Sequence, residues 1–173
     1  MKAKQVLNTM KIVSWIVFIG LCIRAGSLIV SYFMSVFVNK TAITNLYLGL
    51  DLSRLYEYSI AHYNSIMLLV IALAILKAYM FYLVLRLFAK LNLDKPFAFV
   101  AAHSITKISF VSLLIGTIAI IANVYNLWLI KQVFFPVVIT EGKAYLFLGA
   151  IIFIIAFIFK RGIEIQQENE LTI

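Results

Sequence analysis

The stretch YNSIMLLVIALAILKAYMFYLVLRL, Tyr63–Leu87, carries a single charge, Lys77, before Arg86. An α-helix rises about 1.5 Å per residue, so about 20 residues cross a hydrocarbon layer of about 30 Å. This stretch is therefore long enough and apolar enough to span a membrane. Working outward from it, three further stretches read the same way: residues 12–38, 97–130 and 144–160. Transmembrane strands would show about ten residues of alternating polarity. These runs are instead continuous and rich in Leu, Ile, Phe and Ala. Open backbone cannot face lipid, so helices remain. The expected fold is all-α: an integral membrane four-helix bundle, one transmembrane domain over residues 1–173 with a tail at 161–173. Neither a repeat nor a low-complexity linker interrupts it.

Composition supports this solvent. The chain is 64% hydrophobic and 13% charged, too little polar surface to cover a soluble core of this length. The formal charge of +8 would suggest nucleic acid in a soluble protein. Here the cations punctuate apolar segments instead of forming a stripe, so membrane lipids are the expected partner and direct nucleic-acid binding is not. Cys22 is the sole cysteine, which excludes an intramolecular disulfide and reads as a packing residue. The basic start (Lys2, Lys4, Lys11) imitates a signal peptide. No small-x-small cleavage site follows, and the apolar run is too long, so an uncleaved first span is expected.

The amino end (Lys2, Lys4, Lys11), the second connection (Arg86, Lys90, Lys95) and the carboxyl end (Lys160, Arg161) hold eight cations between the spans. The first connection (Lys40, Arg54) and the third (Lys131, Lys143) hold four. The positive-inside rule then predicts that both termini are cytoplasmic. In the outer loop Leu46, Tyr47, Leu50, Leu55 and Tyr58 line a predicted interfacial helix. Tyr47, Tyr56, Tyr58, Tyr63, Tyr125 and Trp128 fit an outer aromatic belt and Trp15 an inner one. The connection Leu91–Phe97 reads as a helix stop and restart, with Asp94 as a cap and Pro96 in a first turn. Beyond Lys160 a short helix is expected, with Lys160 and Glu164 paired at i,i+4.

Two polar stripes run along the spans. Gly20, Arg24, Ser27, Ser31 and Ser35 share one face of the first. Ser109, Ser112, Gly116, Ala119, Asn123 and Asn126 share one face of the third. Small residues let helix backbones approach in lipid. These two faces are expected to meet inside the bundle, the alternative being that they line a polar cavity. No glycine pair has the GxxxG spacing of a helix dimer.

Arg24 and Lys77 fall near the membrane middle, where a cation costs several kcal/mol unless it faces the bundle interior, water or a partner. The spans themselves contain no acid to pair with them. Carbonyls, the serines and asparagines, a bound anion, acids from another subunit, or Asp51 and Glu57 folding inward are the candidate partners. Arg24 and Lys77 thus form a candidate anion or lipid-headgroup site, with Lys107 a weaker member that can reach the inner interface. Snorkelling with internal hydrogen bonds is the structural alternative. His62 and His103 are expected on opposite sides of the membrane, so no shared metal ion follows, and no cofactor fingerprint occurs. No serine has a positioned base, so no catalytic residue is indicated. The lack of inverted repeats and acidic midplane residues argues against a secondary transporter.

The segment Leu91-Asn92-Leu93-Asp94-Lys95-Pro96-Phe97, together with the glutamate-rich ending Ile158–Ile173 that closes on Leu171-Thr172-Ile173, resembles a bacterial family known as domain of unknown function 2975. The resemblance extends over nearly the whole chain. It implies a small four-span inner-membrane protein, often encoded beside a Cro/C1-type helix-turn-helix regulator, and brings no catalytic residue with it. Two functions are then in view. One is a non-enzymatic adaptor or sensor whose cytoplasmic surface (Asp94, Lys95, Pro96, Phe97, Glu164, Glu168, Glu170) binds that regulator. The other is a lipid or small-anion binding or transport component built on Arg24 and Lys77. Oligomeric state stays open.

Overall fold

The computed structural model describes residues 3–38, 51–90, 99–132 and 141–170. Helix α1 spans Ala3–Phe33 and passes into a π-helical turn, Met34–Val38. A short helix α2, Ser53–Tyr58, is followed by α3, Ile60–Lys90; α4, Phe99–Gln132; and α5, Gly142–Glu170. Four of these helices are long and apolar enough to cross a membrane. Together with the absence of strands among the described residues, this makes the chain an all-α membrane protein.

The spans pack in chain order. The substantial helix pairs among the described residues are α1 with α3, α3 with α4, and α4 with α5, with α2 seated on α3. The most apolar windows of α3 and α4 are 39% buried and those of α1 and α5 17%, so α3 and α4 are central and the other two flank them. On the flanks, Ile12, Ile16, Ile19 and Ile23 of α1 and Phe147, Ile154, Phe157 and Ile158 of α5 are exposed, as lipid-facing residues should be. Neighbouring spans run antiparallel. Ser35 meets Tyr63 at one end of the α1–α3 pair and Phe18 meets Tyr82 towards the other. His62 likewise meets Tyr125 across α3 and α4, and Ser109 meets Gly149 across α4 and α5. The first turns of α1 and the last turns of α5 therefore lie at the same end of the molecule.

The expected meeting of the α1 and α4 stripes does not occur, because α5 occupies the α4 face. Ser109 Oγ donates to the Gly149 carbonyl and Ser112 Oγ to the Tyr145 carbonyl, both at 2.9 Å. A Cβ on Gly116 would lie 2.7 Å from the Leu146 backbone nitrogen, and one on Gly149 2.9 Å from that of Leu113. Backbone approach this close needs a missing side chain on one partner. On α1, Ser35 belongs to α3: its hydroxyl hydrogen-bonds Tyr63 Oη at 2.5 Å and donates to the Tyr32 carbonyl. Gly20, by contrast, has nothing within 4 Å of a would-be Cβ.

At the end bearing α2, Leu52 and Leu55 are fully buried with Tyr63, Ile66, Met67 and Leu129. Leu52 and Leu55 thus pack down onto the helix ends. Leu46, Tyr47 and Leu50 of the expected interfacial helix are outside the described residues. Asp51 starts α2 by accepting from Ser53 N at 2.9 Å and Ser53 Oγ at 2.6 Å. The Ser53 hydroxyl, its amide and the Arg54 charge hold the Asp51 carboxyl below the usual range. Tyr58 stacks on His62 and Tyr125 on Trp128, an aromatic cluster at the predicted belt. At the far end α5 does not stop at Lys160 but continues unbroken to Glu170. Its tail ion pair is Arg161 with Glu164 at 2.8 Å, one residue off the expected Lys160 partner.

Gly116→Leu or Gly149→Leu should lower stability in detergent by about 1–3 kcal/mol, since neither site has room for a side chain. Gly20→Ala, which meets nothing, should be neutral or stabilising. Denaturant titration followed by circular dichroism measures both; equal effects at the three glycines would contradict the α4–α5 contact.

Candidate functional site

Three helices bring charged groups to one level. Lys77 lies two residues past Ile75, the midpoint of α3. Arg24 lies between the Phe18–Tyr82 and Ser35–Tyr63 contacts, which sets it against the same part of α3. The beginning of α5 reaches this region because of its register on α4. A Cβ on Gly142 would meet Ile120, whereas α4 runs on to Gln132. Twelve further residues of α4 correspond to about 18 Å along its axis, so α5 starts well below the α4 terminus.

That offset brings Glu141 to Lys77. The two side chains form an ion pair and hydrogen bond, with the Lys77 side chain 14% exposed and that of Glu141 58%. Lys77 Nζ also lies 5.0 Å from the centre of the Tyr145 ring, a cation–π contact. Tyr145 is itself positioned by the Ser112 hydrogen bond to its carbonyl. The Lys77 hydrogen bond holds the Glu141 carboxyl below its ordinary value, opposed by partial burial and reinforced by the charges of Lys77 and Arg24. Arg24 is exposed on α1 and makes no hydrogen bond or ion pair with the described residues. The constellation therefore sets two cations against one carboxylate.

Glu141 is the partner that the sequence reading did not name. Asp51 instead serves α2, and Glu57 sits on that same short helix. A charged residue just outside an apolar window, next to Gly142, was the available signal. Lys107 stands apart from Arg24 and Lys77, on α4 beside Arg86, Lys90 and His103. Asp94, Lys95, Pro96 and Phe97 lie outside the described residues, as does the side chain of Glu170. Glu164 and Glu168 are on the last turns of α5. His62 and His103 stand at opposite ends of the α3–α4 pair, and no group of three metal-ligating side chains occurs among the described residues.

A family model described as Protein of unknown function (DUF2975) matches residues 51–173, and the chain belongs to that family. The match takes in α2 to α5, including Lys77, Glu141 and Lys107, and begins after α1. No curated protein and no solved structure matches the chain.

Glu141→Gln should destabilise the protein by about 2.5–3.5 kcal/mol, the cost of leaving the Lys77 cation without its anion in an apolar surround. The double change Lys77→Met with Glu141→Gln should recover the loss by removing the orphaned cation. The folded pKa of Glu141 lies below its ordinary value of 4.5. Its stabilisation is therefore present above that value and is lost as pH falls through the lowered folded pKa. Thermal unfolding of wild type and Glu141→Gln between neutral and acid pH should converge; parallel curves would contradict the ion pair.

Proposed function

We propose that this DUF2975 protein is a non-enzymatic component of a bacterial inner membrane that binds an anionic group, a carboxylate or phosphate, between α1 and α5. The observation that carries this reading is the excess of one cation where Arg24, Lys77 and Glu141 converge. Lys77 and Glu141 compensate each other, which leaves the Arg24 charge at a level where hydrocarbon surrounds the helices. An isolated cation there costs about 2.5–3.5 kcal/mol by insertion scales, and an anion offsets that cost. Guanidinium offers a planar fork suited to two oxygens of one ligand. Both termini are proposed to be cytoplasmic, from the excess of Lys and Arg at that end of the sequence.

A second reading concerns α5. From the Ser109–Gly149 contact, ten residues along each helix bring Phe99 level with Phe159. Glu170 lies eleven residues further, about 16 Å beyond the start of α4. A projecting helix end with Glu164 and Glu168 suits a basic protein surface. The Cro/C1-type regulator implied by the family resemblance is the proposed partner, and the protein would then act as its membrane adaptor or sensor.

Titration of the detergent-solubilised protein with acetate, at fixed ionic strength, tests the first reading. Saturable binding should weaken about tenfold or more in Arg24→Gln, the loss of one charged, bidentate contact. Unchanged binding in a helical Arg24→Gln protein would refute it. For the second, capture of the regulator by full-length protein should fall when residues 164–173 are deleted; equal recovery would exclude a role for the helix end.

A further inference from the structure

A second basic site lies at the end of the α3–α4 pair where α3 ends and α4 begins. A cavity of about 450 Å³ opens between the last turns of α3 and the first turns of α4. Arg86 and Lys90 line it from α3, and His103, Ser104 and Lys107 from α4. Their spacing, four residues on α3 and four between His103 and Lys107, puts each set on one helix face. Antiparallel pairing then turns the two faces towards each other. Among the described residues, no carboxylate lines the cavity. Arg86, Lys90, His103 and Lys107 make no hydrogen bond or ion pair with the described residues, while the Ser104 hydroxyl donates to the Val100 carbonyl.

Snorkelling alone would bring single cations to water along separate paths. Here three cationic side chains and an imidazole instead surround one concavity whose inner wall includes the buried Leu83. Such mutual repulsion is relieved by a multivalent anion. The volume falls within the range of about 300–1,000 Å³ typical of small-ligand sites. Lys90 ends α3 and Phe99 begins α4, so the cavity sits where the apolar helices leave the hydrocarbon, at headgroup depth. Beside the cations, Phe99 and Val100 are 68% and 49% exposed and offer an apolar surface continuous with the site. Basic groups at headgroup level next to an apolar wall match a molecule with a phosphate at one end and acyl chains at the other.

We propose that this cavity binds the phosphate of an anionic phospholipid headgroup in the leaflet at the end of the bundle where α3 ends and α4 begins. Arg86 and Lys107 grip the phosphate from the two helices, Lys90 adds charge at the rim, and Phe99 packs on the adjoining chains. The site is separate from Arg24, Lys77 and Glu141 in position and in residues.

Native mass spectrometry of the intact protein in detergent tests this with three probes: dioctanoyl phosphatidylglycerol, dioctanoyl phosphatidylcholine and inorganic phosphate. Phosphatidylglycerol should bind in preference to phosphatidylcholine. Arg86→Gln with Lys107→Gln should weaken phosphatidylglycerol binding by roughly tenfold or more. Arg24→Gln should leave one phosphatidylglycerol bound, which separates this site from the one between α1 and α5. Lys90→Gln, at the rim, provides a second variant with a smaller loss should the double change fail to fold. Undiminished phosphatidylglycerol binding in the folded variants, or equal binding of phosphatidylcholine, would overturn the proposal. Inorganic phosphate that binds as tightly as phosphatidylglycerol and displaces it would identify a free phosphate site and overturn the lipid assignment.

Discussion

An ammonium group midway along an apolar helix must meet an anion, and in this protein Lys77 meets Glu141. Much of the architecture answers to that requirement. The acid stands at the residue before α5, so α5 has to begin at the level of Lys77, not at the level where α4 ends. Ser109, Ser112, Gly116 and Gly149 supply that register through close backbone contact and two hydrogen bonds to α5 carbonyls. Helices α3 and α5 do not form a substantial pair of their own. The ion pair, with the contact of Lys77 on the Tyr145 ring, therefore ties α3 to α5 across α4, and in low dielectric such a tie is stronger than on a wet surface.

The same offset shapes the two ends of the molecule. Because α5 starts low on α4, its 29 residues carry it past the start of α4. At the other end, Leu52 and Leu55 of the α2 region cover the tops of α3 and α4, with Tyr63 bonded to Ser35 beneath them. Flanking helices α1 and α5 remain largely lipid-exposed, and Arg24 projects from α1 into the field of Glu141. Two cationic regions result at different depths, one balanced in part by an acid and the other lined by no acid of the described residues.

The four spans were legible because apolarity over 20 residues is a local property of the chain. The mid-helix placement of Arg24 and Lys77 followed from counting along those spans. Partner choice was not legible. Glu141 is 64 residues from Lys77 and lies outside every apolar window, so only the α4–α5 register reveals the pair. The serine and glycine stripe on α4 correctly marked a packing face, yet its partner proved to be α5, whose Gly142 and Gly149 are seven residues apart and escape a GxxxG search. Arg86 and Lys90 served the sequence reading as orientation signals. Their convergence with Lys107 and His103 depends on how α3 and α4 face each other, which periodicity alone does not define. The charged tail looked like a separate element because composition changes at Lys160, but helix propensity carries α5 through that change.

The most direct test of this account is the distance between Lys77 and Glu141 in a lipid bilayer, measured by solid-state NMR between a ¹⁵N-labelled Lys77 Nζ and the ¹³C-labelled Glu141 carboxyl carbon. Direct contact, with nitrogen and carboxyl carbon within about 4 Å, is the predicted result. A separation wide enough to admit water, about 6 Å or more, would mean that α5 does not begin at the level of Lys77 and would contradict the arrangement of the spans.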